Sequence, residues 1–283
     1  MRALKIFQLL GLMLAFCGTA SVVAEPRVVV SLSPMHSLVS ALMQGVAKPI
    51  LLFDRAMQDG AELDPFQKAQ VITAYMLIWT GPGLETSLAS TVEQIPLLQN
   101  KLFTLSNYIP LLPHEAYAGD RADRQSAYDL TFWNDPRLAI MAVRMITLRL
   151  VRLDPAHQEV YLDNEITLIK RLKGLEKEVA AILAPYEGLS ADAQQGLDQY
   201  FTHRYLASGT FGGEDKGSLH KVSTASAAAC IPAKNASQTL SPGPDYYFNS
   251  MRQTAQTVVS CMQGSKSQKT LANENAGAPI GES

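Results

Sequence analysis

Short apolar runs alternate with amphipathic helical segments in the first half of the chain, and this alternation predicts an α/β fold. A β-branched run at residues 27–32 is followed by a helical segment, from Met35 to Leu42, whose apolar residues share one face. A second apolar run comes at residues 49–53. Two strands joined by a helix are typical of a parallel βαβ unit.

Two further strands are predicted in the same half, at residues 75–80 and 101–105. The Gly-Pro-Gly sequence at 81–83 ends the first of them, and residues 84–95 have a helical pattern. A polar loop at 54–64 precedes a short helix that begins at Pro65. The first half of the chain is therefore expected to form one α/β lobe.

The longest helix signal covers residues 154–185. Asp154 is suited to cap this helix, Pro155 to occupy its first turn, and Pro185 to end it. At 1.5 Å per residue the helix would be roughly 45 Å long. Apolar residues recur in it at steps of three and four, which predicts a single buried stripe of Leu168, Leu172, Leu175, Val179 and Ile182.

Residues 1–24 have the pattern of a secretory signal peptide. Arg2 and Lys5 are followed by a short apolar core, and small residues precede a cleavage site after Ala24. The core is shorter than the roughly 20 residues that span a bilayer, so the mature protein is expected to be exported without direct membrane insertion. Cys17 leaves processing as a lipoprotein as the alternative.

The composition allows a sizeable core and gives no bias toward nucleic acid, since 47% of residues are hydrophobic and the net charge is −2. Removal of the signal peptide leaves Cys230 and Cys261, which predict either one disulfide or two buried thiols. A strand at 227–231 and a last helix after Pro244 are expected, followed by a polar, disordered tail.

Several segments together resemble the periplasmic zinc-binding proteins of zinc and manganese ABC transporters. They are VVVSLSPMHSLVSALMQGV, IWTGPGLE, FWNDP with the following helix, LDPAHQEVYLDN and PGPDYYFNSMRQTAQTVVSCM. Each is weak alone, and it is their order and spacing that carry the resemblance. The cysteine pair lies where many members of this family have a disulfide.

The resemblance implies a two-lobed α/β binding protein, joined by a long rigid helix and holding a metal between its lobes. On this basis the chain divides into a signal peptide (1–24), an N-terminal α/β lobe (25–153), a linking helix (154–185), a reduced C-terminal α/β lobe (186–263) and a disordered tail (264–283). Such a protein is a periplasmic monomer that delivers its metal to an ABC permease of the inner membrane, and it is not an enzyme.

The resemblance also assigns the positions at which this family usually holds zinc through histidine. In this chain those positions fall on Asp59, Thr131 and Gln195. Asp59 is a candidate metal ligand, whereas a neutral hydroxyl or amide is a poor zinc ligand. Zinc is therefore implied by the family and disfavoured by these residues.

Two functions from different classes follow from this conflict. The first is a solute-binding protein of a zinc-type ABC transporter with a degenerate metal site. The second is a periplasmic interaction or scaffold protein that keeps the fold without binding metal. An exported hydrolase is disfavoured, because the chain has no GxSxG elbow, no HExxH and no CxxC spacing.

Overall fold

The structure is a computed structural model that describes residues 25–53, 62–114, 127–186, 197–206 and 240–276. The predicted signal peptide and the predicted strand at 227–231 lie outside these ranges. So do Asp59, Gln195 and Cys230. In the described part of the chain, no helix combines the length and the apolar character needed to cross a membrane.

The described sheet has four parallel strands in the order β2-β1-β3-β4. All four strands predicted for the first half are confirmed, with bounds that differ by no more than two residues. Because both faces of the sheet are covered by helices, its central strands are buried except for Leu32 at the end of β1, and they consist of near-continuous apolar runs. The strands are β1 (Val28–Leu32), β2 (Ile50–Phe53), β3 (Met76–Trp79) and β4 (Leu102–Thr104).

Alternate side chains of the central strands face two different cores. Val28 and Val30 face the larger core, which contains apolar residues of α1, α4, α5, α6 and α7. Val29 and Leu77 face a smaller core formed with α2 and α3. The helices are α1 (Ser33–Leu42), α2 (Pro65–Thr73), α3 (Thr86–Gln94), α4 (Pro136–Leu153), α5 (Gln158–Leu183), α6 (Gln199–Tyr205) and α7 (Tyr246–Ala276).

Two helix starts follow directly from local sequence. Asp64 and Gln67 form a capping box ahead of α2, with each side chain bonded to the other residue's backbone N–H. The carboxylate of Asp135 accepts a hydrogen bond from the Arg137 N–H, and Pro136 occupies the first helical position of α4. The helix expected after the FWNDP segment is confirmed.

The long helix is present, with a different beginning from the one predicted. A 3₁₀ turn at Pro155–His157 leads into the 26 residues of α5, about 39 Å long at 1.5 Å per residue. The side chain of Asp154 does not cap a backbone N–H; instead it accepts a hydrogen bond from the Tyr161 hydroxyl and lies 2.7 Å from His157 Nδ1. The buried phenol needs a partner there, and Asp154 is the acceptor within reach.

The predicted apolar stripe of α5 is buried over most of its length. Leu168, Leu172, Leu175 and Val179 are each no more than 1% exposed. Ile182 is only half-buried, and Leu183 takes the last core position in its place. The stripe packs against α4 and α7, so the face of α5 that carries it lies in the larger core.

The last helix differs from the sequence prediction at its C-terminal end. Residues 264–276 are helical, although a disordered tail was expected from residue 264. This stretch contains no proline and includes several strong helix formers, so the backbone hydrogen bonds of α7 can continue through it.

The beginning of α7 packs on the first lobe. The Tyr247 N–H donates to Ser37 Oγ of α1 (3.0 Å), and its hydroxyl donates to the Trp133 carbonyl (2.6 Å). Arg171 of α5 lies 4.0 Å from the ring centre of Phe248. The larger core therefore includes residues from both ends of the described chain. The predicted division into two lobes stays a prediction.

A buried carboxylate organises the turn that follows β3. Glu85 is fully buried and accepts hydrogen bonds from Ser31 Oγ (2.5 Å), from the N–H groups of Thr80 and Gly81 (2.9 Å each) and from the Thr80 hydroxyl. Burial raises the pKa of this carboxyl, and the four hydrogen bonds oppose that rise. A Cβ at Gly81 in the same turn would lie 2.8 Å from Ser106 Oγ, so a larger residue there would have to displace the Ser106 side chain.

Removing this carboxylate should destabilise the first lobe strongly. In Glu85→Ala, two buried backbone N–H groups and two hydroxyls lose their acceptor, and we expect the free energy of unfolding to fall by about 3 kcal/mol. Urea denaturation measures the change. Glu93→Ala, an exposed position on the neighbouring α3, is the control and should stay within about 0.5 kcal/mol of wild type. Equal effects of the two substitutions would contradict this role.

The burial of α5 can be tested on two faces of the same helix. Leu172 is fully buried and Ile166 is 69% exposed. Leu172→Ala should lower the free energy of unfolding by about 2–5 kcal/mol through lost contacts and a residual cavity. Ile166→Ala should change it by less than about 0.5 kcal/mol. Similar losses for both variants would mean that α5 is not held in the core by one stripe.

Candidate functional site

Thr131 lies in the segment that leads from residue 127 into α4, and its hydroxyl is held between two carboxylates. Its Oγ1 is 2.6 Å from Asp129 Oδ1 and 2.6 Å from Asp198 Oδ2. The Thr131 N–H also donates to Asp129 Oδ1 (2.8 Å), which closes a local turn. The second carboxylate comes from a residue 67 positions later in the chain, at the start of α6.

This arrangement requires one more hydrogen than the hydroxyl supplies. A threonine hydroxyl has one hydrogen and can donate it to only one carboxylate, so the other contact needs a hydrogen on the carboxyl itself. Burial raises the pKa of Asp198, and the neighbouring Asp129 carboxylate adds to the rise. A protonated Asp198 can donate to Thr131, which in turn donates to Asp129.

Asp198 also caps α6. Its Oδ1 accepts a hydrogen bond from the Phe201 N–H (3.0 Å), and the Asn134 side chain is a further hydrogen-bond partner of the carboxyl. One oxygen of the Asp198 carboxyl thus caps the start of α6, and the other contacts Thr131. Its position is fixed from both sides.

The next two residues of α6 bond to the same part of the first lobe. The Tyr200 hydroxyl accepts from the Leu112 N–H and donates to the Asp129 carbonyl, both at 2.8 Å. Gln199 donates from its amide to the Pro113 carbonyl (2.9 Å). Burial raises the pKa of Tyr200 to about 12, so its hydroxyl stays protonated and can act as this donor.

The opposite end of α6 is held by a network of charged groups. Arg204 donates to Glu176 of α5, and Arg137 of α4 donates to the same carboxylate oxygen (2.7 Å). Arg204 also lies 3.9 Å from Asp135. Burial disfavours the charged form of Glu176, but the two arginines outweigh it and lower its pKa. The network joins α4, α5 and α6.

The part of the chain that the structure describes forms no metal centre at the predicted metal positions. Among the residues that the structure describes, no three His, Cys, Asp or Glu side chains are grouped so that they could hold a metal ion. Thr131 has its hydroxyl engaged by two carboxylates, while Asp59 and Gln195 fall outside the described ranges. Thr131 does not fit zinc ligation, because zinc prefers imidazole, thiolate and carboxylate ligands.

The structure also places one buried histidine and one of the two cysteines of the predicted pair. His36 is buried on α1, with its Nε2 3.1 Å from the Pro49 carbonyl, and desolvation lowers its pKa. Cys261 lies on α7 and is disulfide-bonded. Cys230 is not among the described residues, so its pairing with Cys261 stays a prediction.

A cavity of about 470 Å³ opens beside the carboxyl ends of β3 and β4. The described residues that line it are uncharged and combine aliphatic groups with hydroxyl and amide groups. The lining residues are Pro82, Gly83, Thr104, Ser106, Asn107, Ile109, Leu111, Tyr128 and Leu130.

Sequence reasoning missed both acidic partners of Thr131. The Asp-Leu-Thr order at 129–131 is a signal for a local side-chain turn, and Asp198 ahead of α6 is a signal for a helix cap. Neither pattern indicates that the two segments meet. That contact depends on how α6 packs against the first lobe.

The hydrogen that a protonated Asp198 donates to Thr131 predicts a pH dependence of stability, which Asp198→Asn should remove. Because the folded-state pKa of Asp198 is raised, its contribution to stability is complete below about pH 4, the ordinary aspartate value, and is lost as pH rises through the raised pKa. An asparagine amide can donate to Thr131 at every pH, while its carbonyl can still cap α6. The stability of wild type relative to Asp198→Asn should therefore fall as the pH rises above about 4 and through the raised pKa of Asp198.

Urea midpoints measured across this range provide the readout. Asp163→Asn, on an exposed part of α5, is the control and should show no trend relative to wild type in the same interval. A constant difference between wild type and Asp198→Asn would contradict the shared hydrogen.

Comparison with known proteins agrees with this architecture. The family model described as "Zinc-uptake complex component A periplasmic" (ZnuA) matches residues 28–211. The chain is 27% identical over 237 residues to the high-affinity zinc uptake system protein ZnuA of Brucella abortus (strain 2308), with 71% of each chain covered.

Two solved structures share the fold. Zn(II)-bound AdcA from Streptococcus pneumoniae matches with a TM-score of 0.53 and 20% identity over 68% of this chain, which spans only 40% of AdcA. The periplasmic zinc binding protein TroA from Treponema pallidum matches with a TM-score of 0.53 and 17% identity, covering 66% of each chain. The family match extends over more than half of the sequence, and the chain belongs to the ZnuA family of periplasmic zinc-uptake components.

Proposed function

We propose that this protein is the exported solute-binding subunit of a metal-type ABC transporter, and that its metal site is degenerate. The mature protein begins after Ala24, works as a monomer and carries its cargo to an inner-membrane permease without catalysing a reaction. Family membership and the similarity to ZnuA of Brucella abortus support the transport role.

The observation that carries the degenerate site is the engagement of Thr131. At a position where the family resemblance expects a histidine, this chain has a hydroxyl 2.6 Å from each of two carboxylates. A metal ion that entered here would meet a neutral hydroxyl, a poor zinc ligand that is already held by contacts with two carboxylates. We therefore expect zinc to be held weakly, with Asp59 as its candidate ligand.

Zinc competition titration of the purified mature protein tests this proposal. We expect a dissociation constant in the micromolar range, about −8 kcal/mol or weaker, rather than the much tighter binding of a complete imidazole site. Asp59→Ala should weaken binding by about tenfold or more, because the site loses its charged ligand. The matched control is Asp163→Ala, an exposed aspartate on α5.

The possible results separate four situations. Micromolar binding that depends on Asp59 supports the proposal. Tight stoichiometric zinc that is unaffected by Asp59→Ala would show a complete site elsewhere and would contradict degeneracy. No binding at about 100 μM zinc would exclude zinc as the cargo, and equal weakening by the control would remove Asp59 from the site.

A further inference from the structure

We propose that the cavity beside the carboxyl ends of β3 and β4 binds a neutral organic molecule of about the size of a hexose, with hydroxyl groups on its edge and an apolar face. This ligand is distinct from a metal ion, and its binding does not depend on the proposed transport of zinc. Three features of the cavity support it: its position and size, its unused hydrogen-bonding groups, and the absence of charge among the described residues that line it.

The cavity lies at the edge of the sheet where open α/β proteins bind ligands. Thr104 is the last residue of β4, Ser106 and Asn107 belong to the turn that follows it, and Pro82 follows β3. In open parallel sheets, ligands bind in the crevice outside the carboxyl ends of the strands. The volume of about 470 Å³ is within the roughly 300–1,000 Å³ of small-molecule sites. Both position and size therefore fit a small organic molecule.

Three polar side chains of the lining have hydrogen-bonding capacity that the described fold does not use. The Thr104 hydroxyl accepts a hydrogen bond from Trp79 Nε1 (2.7 Å) and still has its own hydrogen to donate. The Ser106 hydroxyl and the Asn107 side-chain amide form no hydrogen bond with another described residue. Together these groups offer both donors and acceptors to the hydroxyl groups of a ligand.

Apolar and aromatic groups make up most of the remaining lining. Ile109 and Leu130 are 6% and 8% exposed and form a buried part of the wall, whereas Tyr128 is 48% exposed. Small-molecule sites commonly combine such apolar and aromatic walls with a few polar groups that fix the orientation of the ligand. A sugar ring suits this combination, because its C–H groups can contact the apolar wall while its hydroxyls reach the polar side chains.

The electrostatic character of the cavity favours a neutral ligand. Among the residues that the structure describes, those lining the cavity carry no charge. A charged group that left water for this cavity would lose hydration and gain no ion pair from them, which is costly. A neutral hexose should therefore bind more tightly than the same sugar with a phosphate group.

Titration of the mature protein with hexoses in excess EDTA tests the proposal. The chain has two tryptophans, so in Trp133→Phe the emission reports on Trp79 alone. Because Trp79 is bonded to Thr104, a ligand in the cavity should change this emission. The probes are D-glucose, D-galactose and D-mannose, each up to about 10 mM, and calorimetry of wild type gives an independent affinity. At least one hexose should bind with a dissociation constant of about 1 mM or tighter, and its 6-phosphate at least tenfold more weakly.

Two substitutions in the lining locate the binding site. Asn107→Ala should weaken hexose binding by about fivefold through a lost hydrogen bond, and Tyr128→Ala by about tenfold through lost ring contact. Asn100→Ala and Tyr75→Ala are the matched controls, because both residues are exposed and lie outside the cavity lining. The controls should keep the wild-type affinity. Asn107 and Tyr128 are also exposed, so unchanged urea midpoints should show that weaker binding does not come from unfolding.

Several results would overturn the proposal. They are the absence of both heat and emission change with all three hexoses at about 10 mM, equal binding of a hexose and its 6-phosphate, and an affinity that neither lining substitution alters. The zinc titration remains a separate test. Hexose binding in a chain that binds no zinc would support the cavity ligand and remove zinc transport, whereas zinc binding without hexose binding would do the reverse.

Discussion

The structure depends on the burial of one apolar stripe on α5. Leu168, Leu172, Leu175 and Val179 pack between α4 on one side and α7 on the other, and this larger core also contains residues of β1, β3 and α6. Burial of a leucine side chain contributes roughly 1.5–3 kcal/mol, so four such positions outweigh any single polar contact nearby. The charged groups that surround α5, such as Glu176 and Glu178, orient its neighbours. The apolar stripe holds the helix in place.

Much of the fold could be predicted from the sequence, because its signals are local. The four strands are apolar runs, and the starts of α2 and α4 carry Asp-Pro caps. Predictions failed where a side chain's partner in the fold, rather than the local sequence pattern, decides the outcome. Asp154 has the sequence of a helix cap, yet the buried hydroxyl of Tyr161 takes its carboxylate. The helical residues 264–276 are polar and small, and composition alone favoured disorder there.

The candidate site was harder to predict for the same reason. The family resemblance drew attention to Thr131, but the residues that decide its chemistry are Asp129 and Asp198, which are 69 positions apart from first to last. Asp129 forms a local turn and Asp198 caps the start of a helix, and the sequence can indicate each of these roles. Their meeting at one hydroxyl is a property of packing. At a position where the resemblance predicts a metal ligand, the structure has a hydroxyl in contact with two carboxylates.

The packing of Tyr247 also has a consequence for the order in which the chain can fold. This residue is bonded to Ser37, 210 positions earlier, and to the Trp133 carbonyl, and its ring is buried in the larger core. Contacts over such sequence separations form late, because the intervening chain must first be brought together. The core around α1 cannot be completed until residues near the C-terminal end have been synthesised.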